Sequence, residues 1–408
     1  RTHPERRAFE AVVARGQPPA PGVDGKLEML IEEKPPVAID ETGKADFRNI
    51  QRYNAVDPGQ VLARYTPPTP GTPGLNIRLE EVPPPPPFDP KIAAGDNVQF
   101  HAATGEYRAT VHGIFVHEKN TVSVNPVLTI PGNVGLASGN VAYDGNIRIF
   151  GNIERGSMVS CLGDLEVGGM IESHAVRAGG SLRVKKGINT RREGMVTTGG
   201  NLQAVYIENS DLTVNGSLIV EKSVINSKVV CDGDIALTGR GSTIAGSEIC
   251  CFGSLACDVM GSPVQNPVRI ELGSHSRNKA YYEQHVKELE DVERVLEKKT
   301  EDINKIKIYV QRMRGKIPVE KQAAFRVVYN EYRSTVELRQ RLQLQVLQFR
   351  ESRFNSSEVR LIIRDTIHPG ATIVYRESVE KITAPQTRVV FRFRPGHAMQ
   401  MEAFQQKG

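Results

Sequence analysis

The chain has 408 residues, with 52 basic and 47 acidic side chains and a formal net charge of +5. This small excess does not by itself indicate binding to nucleic acid or to a membrane surface. Glycine (37) and proline (25) are frequent, tryptophan is absent and aromatic residues make up 6%. That composition favours a repetitive or all-β fold over a large enzyme core. No apolar run reaches the roughly 18 residues of a membrane span.

The first residue is Arg1 and not methionine, and we interpret the chain as a fragment lacking an N-terminal region. Residues 1–95 are rich in proline, with "TPPTPGTPG" (66–74) and "PPPPPF" (83–88) placed between short strand-like pieces. We predict a small β domain with stiff polyproline segments that serve as structural linkers. A PxxP ligand for an SH3-type module is the alternative.

Residues 96–130 alternate apolar and polar side chains and predict paired strands that lead into the next domain. From there a glycine recurs at spacings of 18, 17, 20, 16, 17 and 20 residues, each time followed by Asn, Asp or Ser and then by an aliphatic residue. The seven glycines are Gly145, Gly163, Gly180, Gly200, Gly216, Gly233 and Gly253.

Each repeat also places an aliphatic residue four positions before its glycine and an apolar or small residue four positions after it. This pattern predicts two short strands with one inward face each, separated by a corner where glycine tolerates unusual backbone angles. The period is too short for a propeller blade and carries no helical pattern. We therefore predict a right-handed parallel β-solenoid over residues 131–275, with about three strands and three corners per turn.

Three of the five cysteines, Cys161, Cys231 and Cys251, share one position in the repeat with alanine, threonine and valine. We interpret them as small inward residues. No CxxC spacing supports a metal site, and we expect neither a disulfide, a metal nor another cofactor.

Residues 276–354 change to a heptad pattern of apolar side chains, interrupted at "RGKIP" (314–318). Two long helices joined by a short turn predict an antiparallel coiled-coil hairpin inserted into the solenoid. Residues 314–353 hold 9 basic and 4 acidic side chains, so the second helix is net basic. The predicted seam consists of Leu289, Val292, Leu296, Ile303, Ile306, Val310, Phe325, Val328, Tyr332, Leu342, Val346 and Phe349.

After the hairpin, "DTIHPGATIVY" (365–375) aligns with "GNIERGSMVSC" (151–161). Residues 355–408 are therefore predicted to resume the solenoid and cap its end, because an uncovered last turn would leave unpaired strand edges. The strand-like "TRVVFRFRP" (387–395) is expected to complete that cap.

The outward columns next to the corner glycines contain no repeated pair of carboxylates on adjacent turns, and no sequence motif of a catalytic site is present. Asp164 and Glu166, two residues apart on one strand face, are the best acid pair available for glycan cleavage. Turn capping and a solvated strand face are the alternative for these two residues, and we predict no catalytic residues.

Nine sequence segments, taken together and in this order, carry a resemblance to a known family: "ARGQPPAPGVDGKLE", "DETGKADFRNI", "GQVLARYTPPTPGTPG", "VSVNPVLTIPGNV", "GNVAYDGNIRIFGNI", "VYIENSDLTVNGSLIVEKSVINSKV", "GRGSTIAGSEI", "VMGSP" and "IHPGATI". They resemble the family of bacterial flagellar assembly protein A, over about residues 14–395. The resemblance implies a β-solenoid protein of the bacterial cytoplasm, tied to flagellum assembly and motility through protein contacts at the cell pole, with no catalytic residue set to transfer. The family's longer members have a further N-terminal domain, which this chain is expected to lack.

We therefore predict a non-enzymatic scaffold whose partners are proteins of the flagellar or polar localisation machinery, with self-association as a further interaction. The hairpin or an exposed solenoid face is the predicted contact. Two rival hypotheses are a carbohydrate-active β-helix enzyme that uses Asp164 and Glu166, and a nucleic-acid binder that uses the basic second helix.

Overall fold

The structure is a computed structural model that describes residues 14–31, 54–136, 138–264 and 266–405. The segment "DETGKADFRNI" (40–50) lies outside the described residues. The chain divides into two compact units, and the division falls at residues 129 and 130, within the strand β11 (Val127–Ile130).

The described part of the N-terminal unit contains ten short strands. They are β1 (Lys26–Met29), β2 (Ala55–Val56), β3 (Val61–Thr66), β4 (Gly74–Leu75), β5 (Glu81–Val82), β6 (Ala93–Ala94), β7 (Val98–His101), β8 (Glu106–Ala109), β9 (Gly113–Glu118) and β10 (Thr121–Asn125). Two four-stranded sheets form in the orders β1-β3-β8-β7 and β2-β9-β10-β6. Both sheets contribute to one core around Leu62 and Tyr107, so the predicted segments 1–95 and 96–130 share a single hydrophobic core.

The proline-rich segments pack against each other inside this unit. Residues 17–23 and 69–75 run antiparallel and exchange backbone hydrogen bonds at every third residue, with N···O distances of 2.8 to 3.1 Å. That period matches the three residues per turn of a polyproline II helix. Glycine allows the close approach: a Cβ on Gly22 or Gly74 would collide with a carbonyl oxygen of the facing segment. These segments are thus part of the packed domain, which differs from the predicted linker.

The second unit winds as a β-solenoid of about eight turns. Its strands up to the hairpin are β12 (Val141–Tyr143), β13 (Asn146–Ile149), β14 (Met158–Cys161), β15 (Leu165–Val167), β16 (Ala175–Ala178), β17 (Leu182–Val184), β18 (Gly187–Asn189), β19 (Met195–Thr198), β20 (Leu202–Glu208), β21 (Asp211–Val214), β22 (Leu218–Ile225), β23 (Lys228–Cys231), β24 (Ile235–Leu237), β25 (Thr243–Ala245), β26 (Glu248–Cys251), β27 (Leu255–Met260) and β28 (Val268–Leu272).

Two helices interrupt the winding, α1 (Ser276–Arg312) and α2 (Val319–Ser352). The chain then continues through β29 (Val359–Ile367), β30 (Ala371–Tyr375), β31 (Ser378–Lys381), β32 (Gln386–Phe393) and β33 (Gln400–Ala403). Parallel pairing resumes on both sides of the insertion, with Leu255 beside Leu361 and Val268 beside Ala371. The predicted solenoid with an inserted helical hairpin is confirmed.

The interior is built from stacked aliphatic side chains. One sheet aligns Leu165, Leu182 and Leu202 in register, and each is buried. The other sheet aligns Val159, Val176, Val196, Leu212, Val229, Ile249, Ile270 and Ile373. Because each side chain buries its surface against those above and below it, removal of one opens a cavity in a continuous column.

A third aliphatic column completes each turn. It consists of Val134, Ile153, Ile171, Ile188, Ile207, Val224, Ile244, Met260 and Ile367. The number of residues between the corner glycine and this column varies: Ile207 follows Gly200 by seven positions, whereas Ile244 follows Gly233 by eleven. The corner leading to the third column therefore absorbs much of the irregular repeat spacing.

The C-terminal end of the solenoid is closed by antiparallel strands. In one sheet β32 pairs with β29 and β33 pairs with β32, and in the other sheet β31 pairs with β30. Glu358 lies just before β29 and its carboxylate binds Arg360, Arg392 and Arg394 at 2.5 to 3.1 Å. The switch from parallel to antiparallel pairing ends the helical winding, and the ion pairs connect the closing strands.

Candidate interaction surfaces

The seven corner glycines lie at the turns between the two main strands of each repeat, and all seven are among the described residues. None of them has a positive φ. The reason for glycine is instead the close spacing of turns: a Cβ on Gly216 would lie 2.5 Å from Asn201 Oδ1, and one on Gly233 would lie 2.7 Å from Ser217 Oγ. The predicted role for unusual backbone angles is thus replaced by a steric one.

The Asn, Asp or Ser that follows each glycine belongs to a ladder of hydrogen bonds along the solenoid axis. Its side-chain oxygen accepts the backbone N–H of the equivalent residue one turn later: Ser181 N donates to Asp164 Oδ1 at 2.7 Å, and Ser217 N donates to Asn201 Oδ1 at 2.8 Å. Ser254 N donates to Asp234 Oδ1 at 2.7 Å in the same way. These side chains therefore satisfy backbone donors at the corners, where the sheet pattern is interrupted.

The carboxylates of Asp164 and Glu166 are both engaged in structural contacts. Asp164 belongs to the corner ladder, and Glu166 Oε2 lies 2.8 Å from Arg148 Nε while its Oε1 lies 3.2 Å from Lys185 Nζ. The hydrogen bonds from Lys185 and Arg148 lower the pKa of Glu166 below its usual range. A general acid must hold a proton near the working pH, whereas this carboxyl group is held as an anion between two cations.

All five cysteine thiols are free. Burial raises the pKa of Cys257 and of Cys250 to about 12, and that of Cys161 to about 11. Because the thiolate is the nucleophile and the metal ligand, these three thiols stay protonated at neutral pH, whereas a hydrogen bond with Cys251 lowers the pKa of Cys231. Among the residues that the structure describes, no group of three or more His, Cys, Asp or Glu could hold a metal ion.

The two helices contact each other along the hairpin, and the twelve predicted seam residues are buried to different degrees. Leu296, Ile303 and Leu342 are buried, and the other nine predicted seam residues are partly buried. Aromatic contacts mark both ends of the antiparallel pair: the ring centroids of Tyr281 and Phe349 lie 5.5 Å apart near the base, and those of Tyr309 and Phe325 lie 5.7 Å apart near the turn. Midway, Lys299 Nζ lies 2.8 Å from Glu331 Oε2.

The two ends of the hairpin meet where they leave the solenoid. His275 N donates to Arg353 O at 2.8 Å, and Asn355 N donates to Gly273 O at 2.7 Å. This short antiparallel connection joins the chain before α1 to the chain after α2. The insertion therefore starts and stops at one point of the solenoid.

The second helix also carries aliphatic side chains that its partner helix does not cover. Leu344 is 68% exposed and Leu347 is 58% exposed. They lie one turn apart on a different side of α2 from the buried Leu342. The heptad pattern of the sequence assigned the apolar residues of this helix to the seam and did not include Leu344 and Leu347. The available signal was that these two leucines fall outside the heptad positions.

A cationic cleft of about 350 Å³ lies at the base of the hairpin. Its lining includes Arg353 and Arg376, whose guanidinium carbons lie 4.6 and 5.1 Å from the centroid of the Phe354 ring. Neither arginine has a carboxylate within 4.0 Å among the described residues. The cleft thus places two guanidinium groups beside an aromatic ring.

Comparison with known protein families identifies the chain. Residues 126–398 match the Flagellar Assembly Protein A beta solenoid domain, and residues 1–120 match the Flagellar Assembly Protein A N-terminal region. The chain belongs to the Flagellar Assembly Protein A family. Membership relates the chain to flagellar assembly and confirms the resemblance drawn from the sequence.

No curated protein matches the chain, and no solved structure matches it. In the described part of the chain, neither helix is long and apolar enough to cross a membrane.

Proposed function

We propose that this protein is a non-catalytic scaffold of the bacterial cytoplasm that binds partner proteins through its helical hairpin during flagellum assembly. The observation that carries the proposal is the exposed pair Leu344 and Leu347 on a hairpin whose own seam is already occupied. Exposed aliphatic side chains on a solvated helix cost solubility unless a partner covers them. The partners are proteins of the flagellar or polar localisation machinery, and the cell pole is the site of action.

The solenoid supports this function as a stiff base. Its columns are continuous across the insertion, and the hairpin is anchored at one point by backbone hydrogen bonds of residues 273, 275, 353 and 355. An amphipathic helix presented in this way is a common contact for a partner helix or groove.

Neither rival function has comparable support. Glu166 is held as an anion by Arg148 and Lys185, which does not suit a glycan-cleaving acid. On α2, Arg333 pairs with Glu337, and Glu331 engages Lys299 across the seam. Acidic side chains on the helix thus offset part of the positive charge that a nucleic-acid phosphate would require.

The test is excision of the hairpin. Residues 276–352 are replaced by a short glycine–serine linker, which the meeting of the two ends at His275 and Arg353 permits. We expect the excised chain to keep its solenoid, as judged by circular dichroism, and to lose partner capture and the ability to restore swimming in a strain that lacks the intact protein. Restored swimming and unchanged capture would contradict the proposal.

A finer test changes only the exposed side chains. The double variant Leu344→Asn, Leu347→Asn should weaken partner capture at least about tenfold, because it removes two apolar contacts without touching the seam. Ile219→Asn, on a solenoid strand and 40% exposed, is the matched control and should leave capture unchanged. Equal losses in both variants would show that the effect is not specific to the hairpin.

A further inference from the structure

Four charged residues of alternating sign stand in one column on the outer face of the solenoid. They are Asp211, Lys228, Glu248 and Arg269, on the successive strands β21, β23, β26 and β28. The strands pair in register, so that Asp211 lies beside Lys228, Lys228 beside Glu248, and Glu248 beside Arg269. The column reads negative, positive, negative, positive along the axis.

These four charges are not used within the chain. None of them forms an ion pair within 4.0 Å with another residue in the described ranges, although Glu166 and Glu358 elsewhere on the solenoid each bind two or more cations. Lys228, Glu248 and Arg269 are exposed and Asp211 is partly buried. All four line one cleft of about 600 Å³ that opens to solvent.

The order of the charges makes the column complementary to the same column of a second copy that runs in the opposite direction. If a second copy faces the first across a two-fold axis between the Lys228 and Glu248 turns, Asp211 meets Arg269 of the other copy. In the same arrangement Lys228 meets Glu248, and every one of the four contacts joins opposite charges. Two-fold axes of this kind are the commonest symmetry of protein dimers.

The spacing matches as well as the sign. Neighbouring turns of a solenoid are about 4.8 Å apart, so two columns from the same fold stay in step over all four contacts. An extended peptide rises about 3.3 Å per residue and would lose register with this column. The next residues in the column at either end, Met195 and Thr372, carry no charge. Arg192 also lines the cleft, and its guanidinium group donates to Asn226 O at 3.0 Å.

The outward column next to the four charges, two residues further along the same strands, does not block a second copy from reaching them. It holds Thr213, Val230 and Cys250 in register, which are small or medium-sized side chains. The first turn of α1 covers the next position, where Lys279 Nζ lies 2.6 Å from Glu271 Oε1. The open side of the face is therefore the side of the charged column. We propose that this column binds the same column of a second copy and forms an antiparallel, two-fold symmetric dimer.

The experiment measures the dimer dissociation constant of the full chain by sedimentation equilibrium at low and at moderate salt. Lys228→Glu alone and Glu248→Lys alone each create two like-charge contacts across the axis. Each should weaken the dimer by about tenfold or more. Lys222→Glu, an exposed lysine on β22, carries the same change of net charge and should leave the dissociation constant unchanged.

Two rescues test the antiparallel geometry. The charge-swapped double variant, Lys228→Glu with Glu248→Lys, restores four opposite-charge contacts and should dimerise like the unaltered chain. An equimolar mixture of the two single variants should form a heterodimer for the same reason. Circular dichroism of every variant checks that the solenoid is folded.

Three results would overturn the proposal. The unaltered chain could stay monomeric at about 100 µM and low salt, or the single variants could dimerise as tightly as the unaltered chain. The third result is that the folded double variant and the mixture of single variants both fail to dimerise. The hairpin-excised chain separates this proposal from the proposed function: it should still dimerise even though it no longer captures the partner. Loss of the dimer on excision would assign the contact to the hairpin instead.

Discussion

At the scale of single residues, the structure gives the corner glycines a steric reason that the sequence-based explanation does not contain. The sequence places a glycine before each Asn, Asp or Ser, and a turn residue with unusual backbone angles is the usual explanation. The structure requires glycine because the side-chain oxygen of the preceding turn occupies the space of a Cβ. That contact is seen at Gly180, Gly200, Gly216, Gly233 and Gly253 and joins residues 15 to 19 positions apart, which no local turn rule considers.

Substitution of one corner glycine tests this steric explanation. Gly216→Ala should destabilise the solenoid by about 1–3 kcal/mol, because the new Cβ would lie 2.5 Å from Asn201 Oδ1 and the ladder must shift to admit it. The measurement is the midpoint of urea unfolding. Gly132→Ala is the control, since its φ is not positive and a Cβ there meets no atom within 4 Å. Equal stability of the two variants would contradict the steric explanation.

A second prediction at this scale concerns acid stability of the C-terminal cap. Hydrogen bonds from Arg360 and Arg394 lower the pKa of Glu358 from its ordinary 4.5 to about 2. A carboxyl group with a lowered pKa stabilises the fold above its unfolded pKa, and that stabilisation is lost as the pH falls from about 4.5 towards 2. Glu358→Gln should therefore unfold at a lower temperature than the unaltered chain at pH 7.

The two melting temperatures should converge as the pH falls towards 2, because protonation then removes the same ion pairs from the unaltered chain. Glu283→Gln, at an exposed position on α1, serves as the control and should follow the unaltered chain at every pH. A constant difference between Glu358→Gln and the unaltered chain from pH 7 to pH 2 would show that the charge of Glu358 does not stabilise the cap.

At the scale of elements, two closely packed helices were predictable because a heptad of apolar residues is a strong signal over more than 30 residues. The exposed Leu344 and Leu347 were not, since the heptad alone accounts for only one stripe of α2. The N-terminal unit was harder still. Polyproline segments have no hydrophobic periodicity, so the pairing of residues 17–23 with 69–75 leaves no signal in the sequence.

The hairpin should melt separately from the solenoid, because only three of its side chains are buried, whereas each solenoid column is buried throughout. Leu296→Ala removes one of these three and should cost the hairpin about 2–5 kcal/mol. Hydrogen–deuterium exchange should then rise across residues 276–352 while the solenoid strands stay protected.

Val295→Ala is the matched control. Val295 directly precedes Leu296 on α1 and its side chain is 46% exposed, so this variant should leave the exchange of the hairpin unchanged. Faster exchange of the solenoid strands in Leu296→Ala would show instead that the two elements unfold together.

At the scale of the second unit, the repeat predicted the solenoid and the inward columns on the two main strands of each turn. The third aliphatic column was not predicted, because its distance from the corner glycine changes from turn to turn, as at Ile207 and Ile244. For another reason, the sequence did not predict the charged column of Asp211, Lys228, Glu248 and Arg269. Hydrophobic periodicity identifies inward residues, and an outward column has meaning only once the register of the strands is known.

The most direct test of the stacked columns is a set of distances between spin labels along one outward column. Labels on Arg183 and, in turn, on Ala236, Ala256 and Ile362 are separated by three, four and five turns in the observed register. At about 4.8 Å per turn, the backbone separations should be about 14, 19 and 24 Å. The labels are placed in a background in which the five cysteines are alanine.

The pair that ends at Ile362 decides the matter, because the whole hairpin lies between residues 256 and 362 in the sequence. We expect this distance to exceed the one to Ala256 by a single turn, about 5 Å. A distance to residue 362 that departs widely from that step, or distances to 236 and 256 that do not increase in sequence, would contradict a continuous solenoid.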